Sequence, residues 1–95
     1  MTTDRTVGYE GPIRVLDPSG VLLDIGPGKL FPIDGRPGHW EGAVEVSRGS
    51  GIVGKALQVL IDTGSARSAA VLQPGDESSG DMATVRFVGA GAAPF

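Results

Sequence analysis

Apolar and polar positions alternate with period two in short runs, and clusters of glycine, proline, aspartate and serine separate the runs. From Tyr9 to Leu16, Ile13 and Val15 share one face with Arg14 opposite, the pattern of a half-buried strand. Asp17-Pro18-Ser19-Gly20 has reverse-turn chemistry. The next run, in which Val21, Leu23 and Ile25 alternate with Leu22 and Asp24, therefore predicts a hairpin. Gly26-Pro27-Gly28 predicts an interruption, a bulge or corner, before Lys29 to Ile33 resumes the extended run. Asp34-Gly35-Arg36-Pro37-Gly38 is the next turn, with an Asp-Gly step suited to positive backbone dihedral angles. His39 to Ser47 then predicts a strand with Trp40, Val44 and Val46 on one face and His39, Glu41 and Glu45 on the other. Arg48 to Gly54 reads as a loop. Lys55 to Asp62, with Leu57, Val59 and Ile61 in alternation, and Ala66 to Gln73 form a second hairpin about Thr63-Gly64. Pro74 to Gly80 reads as an acidic loop, and Met82 to Val88 as the last strand, with Ala83, Val85 and Phe87 on one side.

Composition sharpens the class. The 95 residues include 16 Gly and seven Pro, spaced so that no stretch free of both exceeds nine residues. Ordinary helices average about 11 to 12 residues and tolerate interior Gly and Pro poorly, so a helical bundle is excluded. The expectation is all-β: one small antiparallel barrel, partly open, whose roughly six strands run as a meander and curl around a shared apolar face. Residues 1–8 are expected to be a flexible lead-in and residues 9–95 the single barrel domain.

A net charge of -3 with eight scattered Lys and Arg argues against a nucleic-acid partner and against acidic membranes. The absence of cysteine excludes disulfides, a thiolate nucleophile and cysteine metal sites. No apolar run approaches the roughly 20 residues of a membrane span, and the first residues lack a signal-peptide pattern. The expected setting is cytoplasmic.

Candidate chemistry gathers around the sole histidine. On a strand, residues two apart project from one face, so His39 and Glu41 are neighbours, with Asp34 and Arg36 in the adjoining turn. A histidine between carboxylates serves as a general acid or base, which makes His39, Asp34 and Glu41 the candidate catalytic residues; the competing reading is a surface turn with no chemistry. Arg36, Trp40 and Phe31 are the candidate ligand contacts, with Trp40 as a core anchor in the alternative reading. Small residues expected to face inward, Ala43, Ala66, Ala70 and Ala83, either leave a cavity for an apolar ligand or accommodate barrel taper. Asp62-Thr63-Gly64 is similar to the active-site triplet of retroviral-type aspartic proteases, but only 33 residues follow Asp62 and its residue types are those of a hairpin turn, which is the first reading. One histidine and dispersed carboxylates do not make a zinc site, and neither Gly26-Pro27-Gly28 nor Gly49-Ser50-Gly51 matches a phosphate loop, so neither metal nor cofactor is expected.

Phe31-Pro32-Ile33-Asp34-Gly35-Arg36, then His39-Trp40 and Gly42, together with a tail carrying Gly89, Gly91, Pro94 and Phe95, resembles the actinobacterial family catalogued as domain of unknown function 4873. The likeness runs from Tyr9 to Phe95; Pro37-Gly38 lengthens the turn, and Ala93 stands where the family has proline. The resemblance implies a small β domain of oxidative or specialised metabolism, found alone or attached to flavin-dependent monooxygenase-like proteins. The residues and the resemblance together leave three expectations, the last of them resting on Asp62-Thr63-Gly64 alone. The first is a small-molecule-binding barrel for an apolar metabolite, assisting a cyclisation or isomerisation through acid/base groups at its mouth. The second is an interaction or homodimerisation module for a flavin-dependent oxygenase. The third is a dimeric aspartic protease.

Overall fold

The structure, a computed structural model, describes residues 7–33, 35, 36 and 38–95, with the backbone alone for 75–79. Most of the expected lead-in, residues 1–6, lies outside the described residues. Six strands form: β1 (Tyr9–Leu16), β2 (Leu22–Pro32), β3 (Trp40–Ser47), β4 (Gln58–Asp62), β5 (Arg67–Ser79) and β6 (Met82–Gly89). No helix forms among the described residues, in keeping with the density of breakers.

The barrel is closed rather than partly open, and the strand order β1-β2-β3-β6-β5-β4 departs from a simple meander. Two three-stranded meanders are joined along β3 and β6, where Glu41 to Ser47 pair with Val88 to Met82. The second seam is short: only Arg14, Val15 and Leu16 of β1 pair with Asp62, Ile61 and Leu60 of β4. Between the halves, residues 48–57 cross one end of the barrel. The part expected as a plain loop, residues 48–54, carries Ile52 into the core at 2% exposure, and the connection runs on through residues 55–57, expected as strand, because β4 starts only at Gln58. An apolar side chain there lets the crossover cover the barrel end instead of leaving it wet.

Inward positions are Ile13 and Val15 on β1, Leu30 on β2, Trp40, Val44 and Val46 on β3, Val59 and Ile61 on β4, Ala70 and Leu72 on β5, and Val85 and Phe87 on β6. These side chains fill the interior. Ala70 and Ala83 are inside as expected, but Ala43 lies on the outer face and Ala66 is exposed in a turn. Strand parity explains the first: with Trp40, Val44 and Val46 inside, an odd-numbered neighbour must point out.

The expected interruption at Gly26-Pro27-Gly28 does not occur. These residues pair with Ile13, Pro12 and Gly11, and the irregularity falls between Val15 and Leu16, where Leu23 is the extra residue. The glycines serve another purpose. The β2–β3 ladder ends at Gly28 opposite Val44, and β3 then passes so close under β2 that a Cβ on Gly26 would overlap the Glu45 carbonyl oxygen. The expected acidic loop at 74–80 is strand as far as Ser79: a register shift between Leu72 and Asp76 absorbs Gln73, Pro74 and Gly75, and pairing resumes from Asp76 to Ser79.

Candidate functional site

Trp40 opens β3 and is fully buried. Its indole Nε1–H donates to Gly91 O at 2.9 Å, and its ring meets Phe87 edge-on at 6.1 Å and 72°. A Cβ on Gly89 would overlap the indole, so glycine is required where β6 runs beneath it. Burying an aromatic of about 200 Å² is worth roughly 5 kcal/mol before entropy is counted. Trp40 therefore stands in the core, with both faces and its donor occupied.

The other expected site residues surround the β2–β3 turn. Backbone bonds close that turn, from Ile33 N–H to His39 O at 3.0 Å, Arg36 N–H to Ile33 O at 3.2 Å and His39 N–H to Arg36 O at 3.0 Å. The side chains of His39 and Arg36 are exposed. Asp34 lies outside the described residues. Glu41 follows His39 on the same outward parity and pairs across the ladder with Phe31.

Phe31 and Glu41 do come together in a groove on the outer face of the sheet. The groove has a volume of about 550 Å³ and is also lined by Ala43, Gln73, Arg86 and Val88. A second concavity of about 520 Å³ shares Phe31 and Ala43 and continues to Pro27, Lys29, Glu10 and Glu45. Ala43 is the floor of both. Across the strands it faces Lys29 on β2 and Arg86 on β6; along β3 it lies between Glu41 and Glu45, each about 6.5 to 7 Å away. The arrangement is a small apolar floor beside an aromatic ring, with cations on one axis and carboxylates on the other. Glu10 pairs with Lys29 at 3.9 Å, but both ends are mostly solvated, so this pair contributes little to stability.

Asp62 is committed elsewhere. Its Oδ1 accepts Gly64 N–H at 2.6 Å and its Oδ2 accepts from Arg67 at 3.1 Å. The Gly64 amide first, and then the Arg67 guanidinium, hold its carboxyl below the usual aspartate range. Asp17 is held down in the same way, by the Ser19 hydroxyl and the Val21 amide.

Among the described residues, no three histidine, cysteine, aspartate or glutamate side chains cluster as metal ligands. Sequence reasoning put Ala43 on the inner face and missed Lys29 and Arg86. Outward parity on β3 was the available signal for Ala43, whereas its flanking by Lys29 and Arg86 depends on pairing that no local pattern encodes.

Fold and site together define a filled six-stranded antiparallel β-barrel with a charged, aromatic-edged groove on its outer wall. Comparison with known proteins adds no relative: no family model fits the chain, and neither curated proteins nor solved structures give a match.

Proposed function

We propose that this protein is a small-molecule-binding module that holds its ligand on the outer wall of β2, β3 and β6, not in a lumen. The ligand class is an apolar metabolite with polar groups at its ends, as in the oxidative or specialised metabolism of the actinobacterial family the sequence resembles. The observation that carries this reading is Ala43: a small residue on the outer face, beside Phe31 and between four charged positions, in a groove of ligand size (about 300–1,000 Å³ is usual for such sites). Phe31 supplies an apolar ring, and Lys29 and Arg86 attract anionic or carbonyl groups. Acid/base assistance to a cyclisation or isomerisation belongs to Glu41 at the groove and His39 one step along the same face, with Arg36 steadying negative charge.

The test is titration with 1-anilinonaphthalene-8-sulfonate, an aromatic anion. Saturable binding is expected for the wild type, with a Kd raised at least about tenfold in Ala43→Leu. The outward substitution leaves the core intact, so an unchanged Kd with an unchanged circular dichroism spectrum removes the groove as the site.

One observation favours a second reading, the interaction or homodimerisation module serving a flavin-dependent oxygenase. Val21, Leu22, Leu23 and Ile25 are all exposed at the tip of the β1–β2 hairpin, an apolar run of the kind that partners cover. The aspartic-protease reading has no comparable support, because Asp62 is bound into its turn and paired with Arg67.

A further inference from the structure

The short β1–β4 seam leaves part of the barrel wall to be closed by something other than a strand. From Tyr9 to Ile13, β1 pairs with β2 on one side but with no strand on the other among the described residues. Residues 90–95 cross the barrel end beside this gap, from Ala69 on β5 past Trp40 at the start of β3 to Thr63 after β4 and Gly8 before β1. Ala90 N–H and Gly91 N–H both reach Ala69 O, at 2.8 and 3.2 Å, and Gly91 O takes the Trp40 indole proton. Pro94 is buried, and its carbonyl accepts from Thr63 Oγ1 at 3.3 Å, a hydroxyl equally placed toward Ala66 O. The Phe95 ring lies against Gly8, where no Cβ would fit, and meets Trp40 edge-on at 6.5 Å and 88°.

The segment is weakly fastened. Between Gly89 and Pro94 it contains only Gly and Ala, so its side-chain anchors are few: the Ala93 methyl at the edge of the core, the buried Pro94 and the Phe95 ring. Among the described residues, 92–95 make no backbone–backbone hydrogen bond to the barrel, and the hydrogen bond that holds them is that of the Thr63 hydroxyl to the Pro94 carbonyl. Segments with few buried contacts open locally at a small fraction of the global stability. What this one covers is specific. It offers Trp40 an aromatic edge from Phe95 and a hydrogen-bond acceptor from Gly91, and when it lifts, both positions are vacated together.

We propose that residues 90–95 are a detachable strap occupying a second binding seat, beside Trp40 at the barrel end, and that the seat accepts an aromatic molecule carrying a hydrogen-bond acceptor. The strap supplies the same two groups as the ligand and competes with it. Apparent affinity is reduced by the fraction of time the seat is covered. This seat lies apart from the outer groove, and neither depends on the other.

The probe is 2-acetylnaphthalene, with naphthalene as the acceptor-free control. Phe95→Ala is expected to bind 2-acetylnaphthalene at least about tenfold more tightly than the wild type, to prefer it over naphthalene, and to show a shifted Trp40 indole N–H resonance. Equal affinity in both proteins, or an indole resonance that stays in place, overturns the proposal. Should Phe95→Ala fail to fold, native-state hydrogen exchange on the wild type decides. The Ala90 and Gly91 amides are expected to exchange at least about 100-fold faster than those of Val44 and Val85. Exchange of all four at one common rate means that the strap does not open by itself, and the proposal fails.

Discussion

The tightest constraints on this chain act where a single hydrogen stands in for a side chain. At Gly26 the partner in contact is the Glu45 carbonyl, which cannot rotate away, so an added methyl must push two strands apart. Gly26→Ala is accordingly expected to lower stability by about 2–3 kcal/mol, the scale of overpacking in a close-packed interior. Gly49→Ala, in a turn where nothing lies within 4 Å, is expected to stay within about 0.5 kcal/mol of wild type. Denaturant midpoints of the two variants check this, and equal effects would mean that β2 and β3 are less closely apposed at that corner. The sequence announced Gly26 and Gly28 as special but not how. A glycine pair in a strand reads locally as a break, whereas here it is an uninterrupted ladder with another backbone pressed beneath it.

Elements were legible in most runs of unbroken period two, although the strand expected from Lys55 begins only at Gln58. Tyr9 to Leu16 occupies the expected span, and β3 and β6 differ from expectation by one residue at an end. Misreadings came where local chemistry and pairing disagreed: Pro74-Gly75 looks like the start of a loop, but the register shift absorbs it and β5 continues to Ser79. The turns follow their residue types. Asp17 accepts from Ser19 N–H and Val21 N–H, each at 2.9 Å, and Asp62 closes the next hairpin through Gly64. Both carboxyls are held below the ordinary aspartate range by these donors. Their stabilisation is therefore complete above about pH 4 and is lost as the pH falls through the folded-state values. Denaturant midpoints measured from pH 6 down to pH 2 are expected to fall on the acid side, and Asp62→Asn is expected to make that fall shallower. An acid limb as steep as in the wild type would show that the Gly64 and Arg67 contacts do not favour the charged form.

For the whole molecule, class was readable and topology was not. Breaker spacing excluded long helices, and apolar alternation required closure, yet nothing local says that β3 joins β6 or that residues 48–57 cross an end with Ile52 inside. Those pairings decide the functional reading. They fill the interior with Trp40, Leu72, Phe87 and their neighbours, and they bring Lys29, Ala43 and Arg86 into one row on the outside. Small residues expected inside leave either a ligand cavity or a filled taper, but Ala43, on which the proposed groove rests, faces out. The most direct test is residue-by-residue amide and methyl chemical-shift mapping during the 1-anilinonaphthalene-8-sulfonate titration. Saturable shifts centred on Phe31, Ala43 and Arg86, with Val44, Leu72 and Val85 little moved, are the predicted result; shifts centred on those three inward residues would contradict it.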